Sequence, residues 1–163
     1  LSQKKDPLDA VEETNEYMIK YHQRTDTYCM FVSCVFAVIN LNTGECTLIN
    51  AGHIPGYCIG DNGIIKTLKP TGPAIGLTSK TVFKRKSFTI KPGEMLFFFT
   101  DGVTEAINNT GSFFSTERLR SIISNKHDTA QELVDHVNTE LKAFTDVYPG
   151  NDDITMVAVK RKK

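Results

Sequence analysis

The chain lacks the features that would commit it to a membrane or a polyanion. Lysine plus arginine equals aspartate plus glutamate, 19 of each in 163 residues, so no net field draws it to nucleic acid or an anionic lipid surface. No apolar stretch approaches the roughly 18 residues of a spanning helix, and the amino end has neither the basic nor the apolar region of a secretory signal. A soluble segment is expected. Cys-x-x-Cys spacing is missing too. Cys29, Cys34, Cys46 and Cys58 have no local histidine partners and lie in apolar, strand-like sequence, which reads as buried, reduced thiols of a cytosolic protein. The run Thr71 to Gly76, "TGPAIG", has neither the Walker Lys-Ser/Thr ending nor Gly-x-Gly-x-x-Gly spacing, so it supports no nucleotide site. Repeats, low-complexity tracts and linkers are also absent, and one domain is expected over residues 1–163. The basic clusters Lys84-Arg85-Lys86 and Lys160 to Lys163 read as a solvated strand face and a frayed tail.

What is present is a series of strands punctuated by turns. Asp6-Pro7 suits a helix start, with Leu8, Val11, Met18 and Tyr21 at helical spacing as far as His22. Cys29 to Asn40 is almost continuously apolar and predicts a strand covered on both faces. "LNTGE" turns it into a partner strand over Cys46 to Asn50, and Asn62-Gly63 marks a second hairpin through positive φ angles. "TVFKRKSFTI" and "EMLFFFT" flank the tight reversal "KPG", which predicts a β-meander. Helices are expected near Ser115 to Ile123 and from about Asp128 to Phe144. The second has an Asp128/Gln131 capping box and an apolar stripe of Leu133, Val134, Val137, Leu141 and Phe144. "ITMVAVK" closes the chain as an alternating strand. The order gives an α+β fold with a mainly antiparallel sheet of six or seven strands and helices packed on one side.

The acids stand out against this frame. Asp101-Gly102 follows the buried run Met95 to Thr100, while Asn151, Asp152 and Asp153 precede the last strand. Asp-Gly is also a common turn signal, and plain turn formation is the competing reading. Carboxylates gathered at one rim repel unless a cation lies between them, and an all-oxygen cluster suits Mg²⁺ or Mn²⁺. Two such ions about 3.5–4 Å apart are a recurring device for phosphate-ester hydrolysis.

Four blocks occur in order: "MFVSCVFAVINLNTGECTLINAGHIPG", "GPAIGL", "PGEMLFFFTDGVTEA" and "NDDITMVAVK". Together they resemble the SpoIIE-like branch of the PPM-type, metal-dependent serine/threonine protein phosphatases, from about Leu8 to Lys160. The resemblance implies part of a PPM-type β-sandwich in which Asp101 and Asp152 are metal ligands. It also implies supporting roles for Gly102, which allows close backbone approach, for Asp153 and for His53 of the Ala-Gly-His block. Ser33 stands where Thr is common. The implied activity is hydrolysis of phosphoserine or phosphothreonine by water activated at Mn²⁺ or Mg²⁺. The implied setting is cytoplasmic partner switching on a phosphoprotein such as an anti-sigma-factor antagonist, with this segment as the output domain of a larger or membrane-tethered sensor.

One departure from the family pattern is serious. The amino-terminal Gly-Gly-Asp-Phe-Tyr-Asp-like and Gly-His-Gly blocks do not occur, and Asp6, Asp9 and Asp26 lack the accompanying glycines. With the start at Leu1, this reads as the carboxy-terminal part of a trimmed domain, nearly inactive alone and prone to dimerise through an exposed sheet edge. The alternative is a non-catalytic phosphatase-like module that binds or regulates other proteins.

Overall fold

The computed structural model describes residues 6–25, 30–145 and 153–163. Cys29, Asp26, Asn151 and Asp152, which the sequence singles out, lie outside them. The chain divides into two compact units that alternate along the sequence: Leu1–His53 with Lys69–Thr89, and Ile54–Leu68 with Ile90–Lys163.

The first unit contains helix α1 (Pro7–Thr25) and strands β1 (Cys34–Ile39), β2 (Glu45–Ala51) and β5 (Lys86–Thr89), in the antiparallel order β1-β2-β5. Asp6 starts α1 as expected, its Oδ1 accepting from the Leu8 amide at 2.9 Å. Val11 is buried against Ile49, Ala51, Ile75 and Phe83, with Leu8 and Met18 beside it, whereas Tyr21 is exposed. The helix is also held by Asn15, whose buried amide accepts from the Gly76 amide at 2.8 Å and donates to the Thr78 carbonyl at 3.2 Å. The expected strand from Cys29 is shorter, and it is not covered on both faces. β1 lies at the edge of its sheet with Phe36, Ala37 and Val38 exposed, and Met30 and Phe31 ahead of it are exposed as well. Periodicity cannot separate an apolar edge strand from a central one, because both read as an unbroken apolar run.

The second unit contains β3 (Gly56–Ile59), β4 (Ile65–Leu68), β6 (Met95–Phe99), α2 (Thr116–Ile123), α3 (Ala130–Thr145) and β7 (Met156–Lys160), with antiparallel order β4-β3-β6-β7. Alternation places Met95, Phe97 and Phe99 on one face of β6. There they join Tyr57 and Ile59 in a core shared with Leu119, Ile122 and Ile123 of α2 and Leu133, Val137 and Leu141 of α3. Phe99 stacks on Phe97 at 5.5 Å and on Tyr57 at 5.8 Å between ring centroids. The α3 stripe therefore holds as read, with Val134 and Phe144 packed at its margin.

The α+β class and the antiparallel strands hold, and several details change. Lys91 to Glu94 does form the expected tight turn, closed by the Glu94 amide to the Lys91 carbonyl at 2.9 Å with Gly93 at φ 87°. Its flanking strands, β5 and β6, nevertheless belong to different sheets, so the single-sheet β-meander is replaced by two sheets. In the β3–β4 turn only Gly63 takes a positive φ (77°), not Asn62. The α3 cap is Thr129, whose Oγ1 accepts from the Glu132 amide at 3.0 Å, while Glu132 Oε2 accepts from the Asp128 amide at 2.6 Å. The capping pair is thus one residue later than expected, and Gln131 turns instead to Asp135 Oδ1 at 2.9 Å. The basic tail is docked, not frayed. Arg161 donates to the Ile90 carbonyl at 2.7 Å, Lys160 to the His127 carbonyl at 2.6 Å, and Lys163 pairs with Asp61 at 2.7 Å. Of the described cysteines, Cys46 and Cys58 are buried and Cys34 is half-buried; none of the three forms a disulfide, and burial pushes the Cys34 and Cys46 thiols up.

The loop entering α3 carries a titratable clasp. His127 Nε2 and His136 Nδ1 lie 2.9 Å apart. Burial is the main cause that holds the His127 imidazole below its usual value of about 6.5. The neighbouring His136 and, to a smaller extent, Lys160 push it the same way, against the Asn125 backbone and Glu132. A folded-state value below the unfolded one favours the neutral ring, so this contribution is full above pH 6.5 and is lost as pH falls through the folded value. Unfolding by urea should therefore show His127→Gln losing less stability than wild type between pH 7.5 and 5.5. Parallel pH profiles would contradict the assignment.

Candidate metal centre

β6 delivers Asp101 to its place. After Phe99 the strand meets Thr100, which is tied on both sides to the chain entering β7. The Thr100 amide donates to the Thr155 carbonyl at 3.0 Å, Thr100 Oγ1 donates to the Asp153 carbonyl at 2.8 Å, and the Thr155 amide donates back to Thr100 Oγ1 at 2.9 Å. The residue before Asp101 is therefore bonded to the residue that follows Asp152 in the chain. Asp101 opens a 3₁₀ turn, Asp101–Val103, and is itself exposed, with Gly102 and Val103 buried behind it. Its carbonyl accepts from the Glu105 amide at 2.8 Å and Thr104 Oγ1 at 3.2 Å, and its Oδ1 accepts from the Gly102 amide at 3.1 Å. The Asp-Gly pair ends a buried strand in a helical turn and does not make the hairpin that its composition also permitted.

Asp101 lines a concavity of about 300 Å³ within the second unit, together with Glu105, Tyr57, Phe99, Thr67 and Arg120. Arg120, on the last turn of α2, was not singled out by the sequence. Its Nη1 donates to Thr67 Oγ1 at 3.3 Å, and its guanidinium lies 5.4 Å from the Tyr57 ring centroid. Nothing in "TERLR" distinguishes Arg120 from Arg118, which instead covers the Phe144 ring at 4.7 Å.

His53 belongs to the first unit and sits in a heavily bonded turn. Its amide donates to Asn50 Oδ1 at 2.9 Å, and its Nδ1 lies 3.2 Å from Ser33 Oγ. Asn50 is fully buried, and its carbonyl accepts from the Thr71 and Gly72 amides at 2.8 and 3.2 Å. Gly52 is required there, because φ is +70° and a Cβ would lie 2.3 Å from the Ala74 nitrogen. The Asn-Ala-Gly-His block is thus a built corner in which Asn50 matters as much as the histidine.

Among the described residues, no three His, Cys, Asp or Glu side chains form a cluster that could hold a metal ion. The donors described at the Asp101 rim are oxygens, from Asp101 and, on the same turn, Glu105. This chemistry fits a hard divalent cation, although the set is too small to complete an octahedral shell.

Comparisons with known proteins agree with this architecture. The family model of stage II sporulation protein E (SpoIIE) matches residues 1–162, so the chain belongs to the SpoIIE family. It is 39% identical over 154 residues to protein IcfG of Synechocystis, covering 94% of this chain and 24% of that protein. It is 26% identical over 134 residues to the phosphoserine phosphatase RsbU of Bacillus subtilis, covering 82% of this chain and 40% of that protein. It thus spans less than half the length of either relative. The fold matches the solved PP2C domain of SiaA from Pseudomonas aeruginosa with a TM-score of 0.78 at 18% identity, over 95% of this chain and 61% of that one. No described helix is long and apolar enough to cross a membrane.

Proposed function

We propose that this chain is the carboxy-terminal part of a metal-dependent protein serine/threonine phosphatase domain, acting on phosphoserine or phosphothreonine in a cytoplasmic partner-switching system. The observation that carries the reading is the Thr100 clasp. It ties the chain beside Asp101 to Asp153 and Thr155, next to the two aspartates, Asp101 and Asp152, that the sequence resemblance implies as metal ligands. The identity to a relative named a phosphoserine phosphatase supports the substrate class.

In this reading Asp101 and Asp152 hold Mn²⁺ or Mg²⁺, which when bound stabilises charge on the phosphoryl oxygens and lowers the pKa of the attacking water. Thr100 fixes the chain beside Asp101 relative to Asp153 and Thr155. Buried Gly102 keeps the backbone behind Asp101 compact, and Asp153 supports the rim through its carbonyl. His53 orders the Asn50 corner through its amide and meets Ser33 through its ring. The remaining ligands come from an amino-terminal block outside this sequence, so the 163-residue chain alone is expected to turn over little substrate. The test is Mn²⁺-dependent release of phosphate from a phosphoserine peptide by the full-length parent protein. A full-length protein that binds its partners but releases no phosphate would favour the non-catalytic module.

We also propose that the isolated chain self-associates through β1, an edge strand whose exposed Phe36 and Val38 leave apolar surface beside unpaired backbone groups. Light scattering coupled to size exclusion should show a dimer that Val38→Lys weakens. A wild-type chain that stays monomeric at high concentration contradicts this.

A further inference from the structure

We infer that Arg120 reads an acidic side chain of the phosphoprotein substrate, lying a few residues from the phosphorylated one. This rests on the phosphatase reading above and adds a sequence preference to it. The guanidinium is half-buried, and no carboxylate among the described residues pairs with it. Its contacts are Thr67 Oγ1 and the Tyr57 ring face, which leave most of its five N–H donors free. A guanidinium fixed in this way and facing a concavity is matched by a carboxylate, which it can engage through two parallel hydrogen bonds.

The concavity is polar at two separate places. Asp101 and Glu105 share one turn, and Arg120 lies against β3 and β4, with Tyr57 and Phe99 among the residues between them. Strand register gives the separation. Thr67 pairs with Tyr57 and Tyr57 pairs with Phe97, so Thr67 lies two strands from β6, and Asp101 comes four residues after Phe97. At about 4.8 Å per strand and about 3.3 Å per residue, the Thr67 and Asp101 backbones are about 16 Å apart. The Arg120 guanidinium, 3.3 Å from Thr67 Oγ1, marks the Thr67 end of that separation, and a phosphoryl group held near Asp101 marks the other. An extended peptide advances about 3.3 Å per residue, and the side chains supply the rest of the reach, so the acidic residue falls about two to four positions from the phosphorylated one.

The test uses the full-length parent protein with Mn²⁺ and phosphoserine peptides carrying Glu or Gln at each of positions two to four on either side. Wild type should favour Glu over Gln by about tenfold in kcat/KM at one of these positions. Arg120→Ala should bring that ratio to about one, Arg120→Lys should restore part of it, and Arg120→Glu should reverse it toward a Lys-bearing peptide. Arg118→Ala, outside the concavity, should keep the preference. No preference in wild type, a preference that survives Arg120→Ala, or an equal fall on the Glu and Gln peptides would each overturn the inference. If wild type hydrolyses no phosphopeptide, the phosphatase reading fails. Fluorescence anisotropy of labelled Glu and Gln peptides on wild type and Arg120→Ala then decides the arginine's role separately.

Discussion

Replacing Asp101 by Asn in the full-length protein is expected to lower Mn²⁺-dependent turnover of a phosphoserine peptide by about a hundredfold or more. Disturbing a group that merely supports a metal ligand already costs about 10–100-fold, and a ligand itself must cost at least as much. The substitution keeps the size of the side chain and changes one oxygen to nitrogen. Asp101 is exposed and, among the described residues, its Oδ1 is bonded only to the neighbouring Gly102 amide, so the fold should survive, with a thermal midpoint close to wild type. Asp152→Asn should give a loss of the same order, and the double variant little more than either alone, because groups that act as one unit are not additive. Rates for Asp101→Asn within a fewfold of wild type would leave the residue as a turn former and no more.

The second large effect concerns stability. Phe97 is wholly buried and stacked on Phe99, facing the helices of the second unit. Phe97→Ala removes a ring from a packed interior and should cost about 3–5 kcal/mol. At this chain length that lowers the thermal midpoint by roughly 10 °C. Phe36→Ala, on the exposed edge strand β1, removes the same atoms and should cost under about 1 kcal/mol. Urea unfolding of the two variants side by side, at a dilution that keeps the chain monomeric, checks the difference. Equal losses there would mean that the second-unit core is loosely packed.

These two residues also show where sequence reading succeeds and where it stops. Phe97 and Phe36 lie in runs of similar hydrophobicity, "MLFFFT" and "CVFAVI", yet one strand is central and the other is an edge. Burial on both faces depends on which strands pair, and pairing is a long-range property. The same limit explains β5, read as a neighbour of β6 because a good turn joins them, although each pairs in its own sheet. Local signals fared better: the α3 stripe, the Asp6 cap and the Gly93 turn all rest on contacts within a few residues. The position of Asp101 directly after a buried strand was legible, because the apolar run that makes β6 ends just before it. The Thr100 hydroxyl that ties its loop to Asp153 was not, since a threonine before a turn looks ordinary until its partner is known. Arg120 was equally hidden, because its significance lies in Tyr57 and Thr67, which are more than fifty positions away in sequence.

The most direct measurement is a crystal structure of the full-length protein grown with Mn²⁺, with the ions located by anomalous scattering. The account predicts a Mn²⁺ with both Asp101 and Asp152 carboxylate oxygens about 2.0–2.2 Å away and further acids from the amino-terminal block completing its shell. Manganese bound elsewhere, or the two carboxylates turned to separate regions of solvent, would contradict it.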